Sequence, residues 1–306
     1  MALCNRLSKP ILAVAVLLAA AGGGCELAVP SAPPIYPSEP GAITVSAGEN
    51  FYGDLLHQLG GSKLRVYAFL SNPNADPHQY ESNAGNARAV ADSLLVIENG
   101  LGYDAFMDRL LAASPRAGRV VINVQGLVGA RDGANPHLWY DPVVMPLVAH
   151  VVADSLVRID PANGDVYRAN LALFLASLTS VSERVAVLRT RVRGTPVAFT
   201  EAVFGYMAQA LGLTVRSPEA FVKAVEEGND PPTRAVADEE DLLTGHRVKV
   251  LLYNSQAVTP ITSAIRDLAR RSGVPVVGIS ETEPAGKTYQ QWQLDQLDAL
   301  GTALSR

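Results

Sequence analysis

A single apolar stripe constrains the fold of this chain more than any other feature. Between positions 160 and 193, apolar side chains recur at spacings of three and four residues, the periodicity of one helix face: Leu171, Leu175, Leu178, Val181, Val185, Leu188 and Val192. Asp160 can cap this helix, Pro161 fits its first position and Gly194 can end it. At about 1.5 Å per residue it would span about 50 Å. It is either a long core helix or a link between two lobes, and the stripe alone does not decide between them.

The first 25 residues predict an export signal. Two basic residues precede an apolar run at 11–21 that is too short to cross a bilayer. Three glycines then precede Cys25, which resembles a bacterial lipoprotein signal, with cleavage before Cys25 and lipidation of its sulfur. Gly22 stands where that pattern usually has a leucine, and an unlipidated secreted protein is the alternative. Cys4 is the other cysteine of the sequence, so the processed chain can form neither a disulfide nor a cysteine metal cluster.

The segment after Cys25 differs in composition from the rest of the chain. Residues 26–42 contain five prolines, which predicts a semi-extended tether between the anchor and the folded body. The net charge of −5, without any basic stripe, argues against a nucleic-acid partner.

Strands alternate with helices on both sides of the apolar stripe. This alternation predicts an α/β fold with two lobes, each with a mostly parallel sheet flanked by helices, joined by one long helix at 160–193. The N-terminal lobe covers 43–159 and the C-terminal lobe covers 194–306. Their predicted strands are 43–47, 64–70, 94–98 and 119–124 in the first lobe, and 196–200, 248–253 and 274–279 in the second.

Two of the five histidines share a local setting. His78, in Asp-Pro-His-Gln-Tyr-Glu, and His137, in Asn-Pro-His-Leu-Trp-Tyr-Asp-Pro, each follow a short acceptor residue and a proline. Proline fixes φ and extends its predecessor, so each histidine lies on a stiffened loop. Both loops follow predicted strands, at the sheet edge where α/β proteins bind ligands. A lone loop histidine is more often structural, and the pairing is what favours a binding role.

Two acids occupy matching positions in the second lobe. Glu201 and Glu281 each come just after a predicted strand. Taken singly, such an acid can simply complement a helix dipole. Two imidazoles and two carboxylates, two before the stripe and two after it, are together a suitable ligand set for a divalent transition metal.

These motifs, with Glu-Ala-Val-Phe-Gly-Tyr at 201–206 and Ser-Glu-Thr at 280–282, resemble the metal-binding family of ABC-transporter solute-binding lipoproteins that serve zinc and manganese uptake. The resemblance runs from residue 43 to the end. It implies four ligands in a cleft between lobes bridged by a long helix: His78, His137, Glu201 and Glu281. The family often has His at the position of Glu201 and Asp at that of Glu281, and Glu283 competes for the fourth position. Asp141 and Tyr80 are candidate partners of the ligating groups.

The resemblance also implies partners and a location. It implies an extracytoplasmic, lipid-anchored monomer that delivers Zn²⁺ or Mn²⁺ to an ABC permease and catalyses no reaction. Two oxygen donors favour harder ions such as Mn²⁺, whereas intrinsic affinity favours Zn²⁺, so both metals stay open. A binder of a siderophore or corrinoid chelate is the alternative. A secreted zinc hydrolase is more remote, since the sequence has neither His-Glu-x-x-His nor Gly-x-Ser-x-Gly.

Overall fold

The computed structural model describes residues 35–72 and 76–305. The predicted export signal and the Cys25 lipidation site lie outside these residues, as does most of the predicted tether. Its last part, 35–42, lies against the N-terminal lobe instead of standing free. The backbone N–H of Ile35 bonds the carbonyl of Val66 at 2.9 Å, and the Tyr36 ring stacks on His57 with centroids 3.8 Å apart.

The N-terminal lobe is built on a four-stranded parallel sheet in the order β2-β1-β3-β4. The first three strands along the chain are buried over most of their length, as expected of a parallel sheet covered by helices on both faces, whereas the last one, at the edge of the sheet, is partly exposed. The elements in chain order are β1 (Ile43–Glu49), α1 (Asn50–Gly60), β2 (Leu64–Leu70), α2 (Ala84–Asp92), β3 (Leu95–Glu98), α3 (Ala105–Ala113), β4 (Val120–Asn123), α4 (Val124–Val128) and α5 (Val144–Ile159).

The C-terminal lobe repeats this plan with a sheet in the order β6-β5-β7-β8, also parallel. Its elements are β5 (Pro196–Phe199), α8 (Gly205–Leu211), β6 (Thr214–Val215), α9 (Glu219–Glu226), α10 (Thr233–Thr244), β7 (Leu251–Asn254), α11 (Pro260–Arg271), β8 (Val276–Ile279) and α12 (Tyr289–Ala303). The predicted fold class, two α/β lobes with mostly parallel sheets, is therefore confirmed. Strand β6 and helices α4 and α9 were not predicted, because they are only two, five and eight residues long and sequence patterns identify such short elements poorly.

The linking helix is bent, whereas the sequence predicts one continuous helix. After a 3₁₀ turn, α6 (Gly164–Ser177) is followed by α7 (Thr179–Val192), with Leu178 between them. The hydroxyls of Ser177, Ser180 and Ser182 bond back to carbonyls three or four residues earlier, and such bonds bend helices. Helix α6 packs against α1 and α5, and α7 against α8 and α12, so the segment does connect the two lobes.

The linking segment is unusually apolar for a helix at the surface of a protein, and its position between the two lobes explains this. Pro161–Val192 is long and apolar enough to cross a membrane, with a mean hydropathy of 1.6 over its most apolar stretch. A helix that packs against two lobes needs an apolar stripe as well, and the predicted stripe is buried or half-buried along its length. The opposite face stays open at Leu173 and Val187, which are 69% and 53% exposed.

Within the described part of the chain, the larger of two hydrophobic cores is continuous from one lobe to the other. Aromatic rings join the lobes: Phe51 lies 4.6 Å from Trp139 and 5.9 Å from Trp292, and Tyr140 lies 5.4 Å from Phe204, measured between centroids. All five rings are 1% exposed or less. Opening the lobes as rigid bodies would expose this cluster to water, so the architecture favours small movements of loops over a wide hinge.

Candidate metal centre

The two histidine loops are shaped by the same local device. The Asp76 carboxylate accepts the backbone N–H of His78 at 2.9 Å, and the Asn135 side chain accepts that of His137 at 3.1 Å. Such bonds from a side chain to the backbone two residues on define Asx turns, and the intervening proline fixes the turn further. The Asp-Pro-His and Asn-Pro-His sequences therefore fix the backbone position from which each imidazole side chain extends.

Asn135 also orients the His137 ring. Its Oδ1 lies 2.7 Å from His137 Nδ1 and accepts a proton there, which directs Nε2 towards the acids. The His137 side chain is fully buried, and among the described residues Nε2 has no hydrogen-bond partner, although Glu281 Oε2 lies 3.5 Å away. A buried ring nitrogen that faces a carboxylate, while a partner holds the other nitrogen, has the usual arrangement of a histidine that ligates a metal once that nitrogen has lost its proton.

The two acids reach the histidines from the opposite lobe. Glu201 follows β5 and Glu281 follows β8, and both side chains are fully buried. Strands β5 and β7 flank the point where the strand order reverses, which is where α/β sheets bind ligands. Asn254, the last residue of β7, donates its amide N–H groups to both carboxylates, and the Tyr103 hydroxyl donates to Glu281 at 2.9 Å.

The four predicted residues converge on one point. One donor atom from each of His78, His137, Glu201 and Glu281 lies within 4.8 Å of the others. His78 Nε2 is 3.2 Å from Glu201 Oε1 and 3.6 Å from Glu281 Oε2, and His137 Nε2 is 3.5 Å from the same Glu281 oxygen. Donors about 2.1 Å from a tetrahedral ion lie about 3.4 Å apart, so these separations suit a four-coordinate metal.

Charges within the cluster determine its protonation. Burial lowers the pKa of His78, but the hydrogen bond to Glu201 and the charges of both acids outweigh it and raise the pKa to about 10. The pKa of His137 is raised as well, since the nearby carboxylates outweigh its burial. Burial of Glu281 is outweighed by the two histidines and Asn254, which lower its pKa to about 2. Without a metal, the raised pKa values of both histidines favour their protonated forms beside the Glu281 carboxylate.

A third acid near the cluster was not predicted. Glu226, at the end of α9, places Oε2 4.0 Å from His137 Nδ1, and that buried oxygen has no hydrogen-bond partner among the residues that the structure describes. Burial raises its pKa to about 7, against the lowering effect of the His137 charge. Glu226 and His78 both line a cavity of about 740 Å³. No local pattern marks this residue, because tertiary packing of an unpredicted helix brings it to the site.

The remaining predicted residues lie elsewhere. The Asp141 carboxylate accepts the backbone N–H of Val143, and the Tyr80 hydroxyl donates to Asn86. The groups that contact the clustered side chains are instead Asn135, Tyr103 and Asn254. Of these, the position of Asn254 offered a signal: it is a polar residue at the carboxyl end of a predicted strand.

Glu283 lies outside the cluster. Its backbone N–H and carbonyl bond the side chain of Asn50 at 3.0 and 2.7 Å, and its own Oε2 is buried and has no hydrogen-bond partner within 35–72 and 76–305. Burial and the Asp54 charge raise the pKa of Glu283 to about 9. It is therefore neutral at pH 7, in contrast to Glu281.

Comparison with known proteins adds evidence from sequence and fold. Residues 45–303 match the family model described as zinc-uptake complex component A, periplasmic. The chain is 25% identical over 268 residues to the manganese-binding lipoprotein MntA of Halalkalibacterium halodurans, covering 83% of this chain and 86% of MntA. It is 21% identical over 296 residues to the metal ABC transporter substrate-binding lipoprotein FimA of Streptococcus parasanguinis, covering 87% and 90%.

Solved structures share the two-lobe fold. The periplasmic zinc-binding protein TroA of Treponema pallidum superposes with a TM-score of 0.74 at 19% identity, over 87% of this chain and all of TroA. The solute-binding protein FpvC of Pseudomonas aeruginosa, in complex with Mn²⁺, superposes with a TM-score of 0.70 at 20% identity, over 86% of this chain and 98% of FpvC.

Proposed function

The chain belongs to the family of periplasmic zinc-uptake component A proteins, and on that premise we propose that it is the extracytoplasmic solute-binding component of an ABC importer. Its cargo is Zn²⁺ or Mn²⁺, held between the lobes by His78, His137, Glu201 and Glu281. The observation that carries the proposal is the convergence of these four donor atoms within 4.8 Å. The partner is a membrane permease, and the protein acts as a monomer anchored through a lipid on Cys25.

Capture fits this cluster better than catalysis. Structural and storage sites surround the ion with protein ligands, whereas a catalytic zinc keeps a position open for water. Here four protein donors, two from each lobe, complete a tetrahedral set. A binder of a siderophore or corrinoid chelate needs room for the chelate at the ligating atoms, yet three of these four side chains are fully buried. The proposal is therefore a bare ion as cargo and no enzymatic activity.

We infer that the ion enters past His78. That side chain is 27% exposed, whereas those of His137, Glu201 and Glu281 are 0% exposed. The cavity of about 740 Å³ reaches His78 and is also lined by Glu226. A small displacement of the His78 loop would open the cluster to this cavity without separating the lobes.

Equilibrium dialysis tests the proposal. The soluble chain from residue 26 onward, stripped with a chelator and dialysed against Zn²⁺ or Mn²⁺, is expected to retain about one ion per molecule by elemental analysis. Replacement of both His78 and His137 with alanine is expected to abolish this retention, whereas the same change at the exposed His150, the control, is expected to leave the ratio unchanged. Retention of a ferric siderophore or a corrinoid in place of the bare ion would overturn the proposal, and so would retention of no ion at all.

Metal affinity is expected to rise with pH. The pKa of His78 is raised to about 10, so this ring carries a proton at neutral pH that the ion must displace, and the raised pKa of His137 adds to the effect. With one or two protons released, the apparent association constant should rise by about one to two log units per pH unit between pH 6 and 8. Competition titrations against a chelator of known pH dependence measure this slope. A flat profile over this range would contradict the assigned protonation.

A further inference from the structure

Each ligating carboxylate has one oxygen that faces the histidines and one that faces away. Glu201 Oε1 and Glu281 Oε2, the inner oxygens, lie 3.2 to 3.6 Å from the imidazole nitrogens. Glu201 Oε2 and Glu281 Oε1, the outer oxygens, both accept hydrogen bonds from Asn254 Nδ2, and the bond to Glu281 is 2.6 Å long. One amide group therefore holds the outer oxygens of both acids.

The Asn254 amide is fixed in this orientation. Its backbone N–H donates to the Thr200 hydroxyl at 3.0 Å, and its side-chain Oδ1 accepts the backbone N–H of Gln256 at 2.9 Å. Rotating the amide would turn Oδ1 towards two carboxylates and lose that acceptor bond. Because the residue is 2% exposed, water cannot replace the lost bonds. The two N–H groups must therefore point at the outer oxygens.

We propose that Asn254 sets the coordination number of the bound ion. By holding each outer oxygen turned away from the imidazoles, it makes both carboxylates bind through the inner oxygen alone, which limits the protein to four donors. The inner oxygen of Glu281 also accepts the Tyr103 hydroxyl, but a carboxylate oxygen has a second lone pair for the ion. A tetrahedral set of four is the geometry of zinc sites, whereas Mn²⁺ favours six oxygen-rich ligands and gains from carboxylates that bind through both oxygens. Asn254 thus biases the site towards Zn²⁺. The inference rests on the proposed function, because it needs the ion to bind these two acids.

The decisive variant is Asn254→Ser. Serine still offers an acceptor near the Gln256 N–H, but it has one hydrogen to donate and a shorter reach, so the outer oxygens become free. Asn254→Leu, of similar volume but without polar groups, is the second variant if the first does not fold. The matched control is Asn123→Ser. Asn123 also ends a strand, donates its amide to a carboxylate, that of Glu98, and accepts a backbone N–H, but it lies outside the cluster.

The measurement is the ratio of the Mn²⁺ and Zn²⁺ dissociation constants, together with the visible spectrum of the Co²⁺ form. Wild type and Asn123→Ser should give the intense spectrum of tetrahedral Co²⁺. Asn254→Ser should shift the ratio towards Mn²⁺ by about tenfold, which is the size of effect expected when a group that hydrogen-bonds a metal ligand is replaced. It should also weaken the Co²⁺ bands as the coordination number rises.

The outcomes separate this inference from the proposed function. If wild type retains no ion, the proposed function fails. If wild type binds and both Asn254 variants keep the wild-type ratio and spectrum, the function stands and the inference is wrong. Equal losses of affinity for both ions with an unchanged Co²⁺ spectrum would also overturn it, because Asn254 would then only support the fold of the site.

Discussion

Replacing Glu281 with glutamine is expected to abolish tight metal binding, whereas the same change at Glu283 should leave the affinity within about twofold. The Glu281 side chain contributes an oxygen 3.5 to 3.6 Å from both imidazoles, while Glu283 lies outside the cluster. Loss of an outer-shell partner alone costs 10–100-fold in affinity, so loss of a ligand should exceed about 100-fold. Competition with a chelator on the two variants measures the difference.

The Glu283 variant also carries a stability prediction of its own. The pKa of Glu283 is raised from 4.5 to about 9, chiefly by burial. A carboxyl whose folded-state pKa is raised contributes stability that is present below about pH 4.5 and is lost as the pH rises towards 9. Glutamine has no such charge, so Glu283→Gln should stabilise the metal-free protein by about 1–3 kcal/mol at pH 7–8 and by little at pH 4.

Denaturant unfolding at the two pH values checks this prediction. The pair of variants is matched in chemistry and lies two positions apart, so a general effect of losing a carboxylate would appear in both. Loss of metal binding in Glu283→Gln with retention in Glu281→Gln would reverse the ligand assignment. Equal unfolding free energies for wild type and Glu283→Gln at pH 8 would contradict the burial of a neutral acid.

The candidate site could be predicted from the sequence because short motifs and acidic residues occur at the ends of predicted strands. His78 and His137 stand in Asx-Pro-His sequences that form Asx turns in the structure, and Glu201 and Glu281 each lie two residues after the end of a strand. Parallel strands bring their carboxyl ends to one edge, so residues far apart in the chain meet there. Predicting that these four residues lie close together therefore required only the order of strands and helices along the chain.

Tertiary contacts account for what the sequence did not indicate. Glu226 reaches the cluster at the end of a helix of eight residues that was not predicted, and Asn254 gains its role only because it meets two acids from neighbouring strands. The bend at Leu178 depends on serine hydroxyls that bond back to the helix, and a stripe of apolar residues passes through it unchanged. Hydrophobic periodicity predicts which face of a helix is buried, but it does not predict whether the helix axis bends.

The second large effect is expected at Asn135, which links the ligands of the two lobes. Its Oδ1 holds His137 Nδ1, its Nδ2 donates to the carbonyl of Ala202 at 2.8 Å, and its own carbonyl accepts the Tyr206 hydroxyl. Ala202 directly follows Glu201, so one side chain sets a histidine of one lobe against an acid of the other. Asn135→Ala should lower metal affinity by about 10–100-fold. Asn170→Ala, which removes an amide-to-carbonyl bond between α6 and α1, is the control.

Gly205 leaves room for the contact between Asn135 and Ala202, and its replacement tests that contact without removing the Asn135 side chain. Gly205 begins α8 with φ −57° and ψ −50°, which alanine adopts readily, but an added Cβ would lie 2.7 Å from Asn135 Nδ2. Alanine favours a helix over glycine by about 1 kcal/mol. Gly205→Ala should therefore keep the thermal midpoint of the metal-free protein and still lose about tenfold in affinity, because Asn135 must move away from Ala202.

The control for this variant is Gly164→Ala, at the start of α6, where the added Cβ would meet its nearest neighbour at 3.4 Å. It should change neither the thermal midpoint nor the affinity by much. A loss of affinity at an unchanged thermal midpoint would show that Gly205→Ala acts on the metal site, because a substitution that only weakened the fold would lower both quantities together. Wild-type affinity in Gly205→Ala would show that the Asn135 contact with the second lobe does not position the ligands.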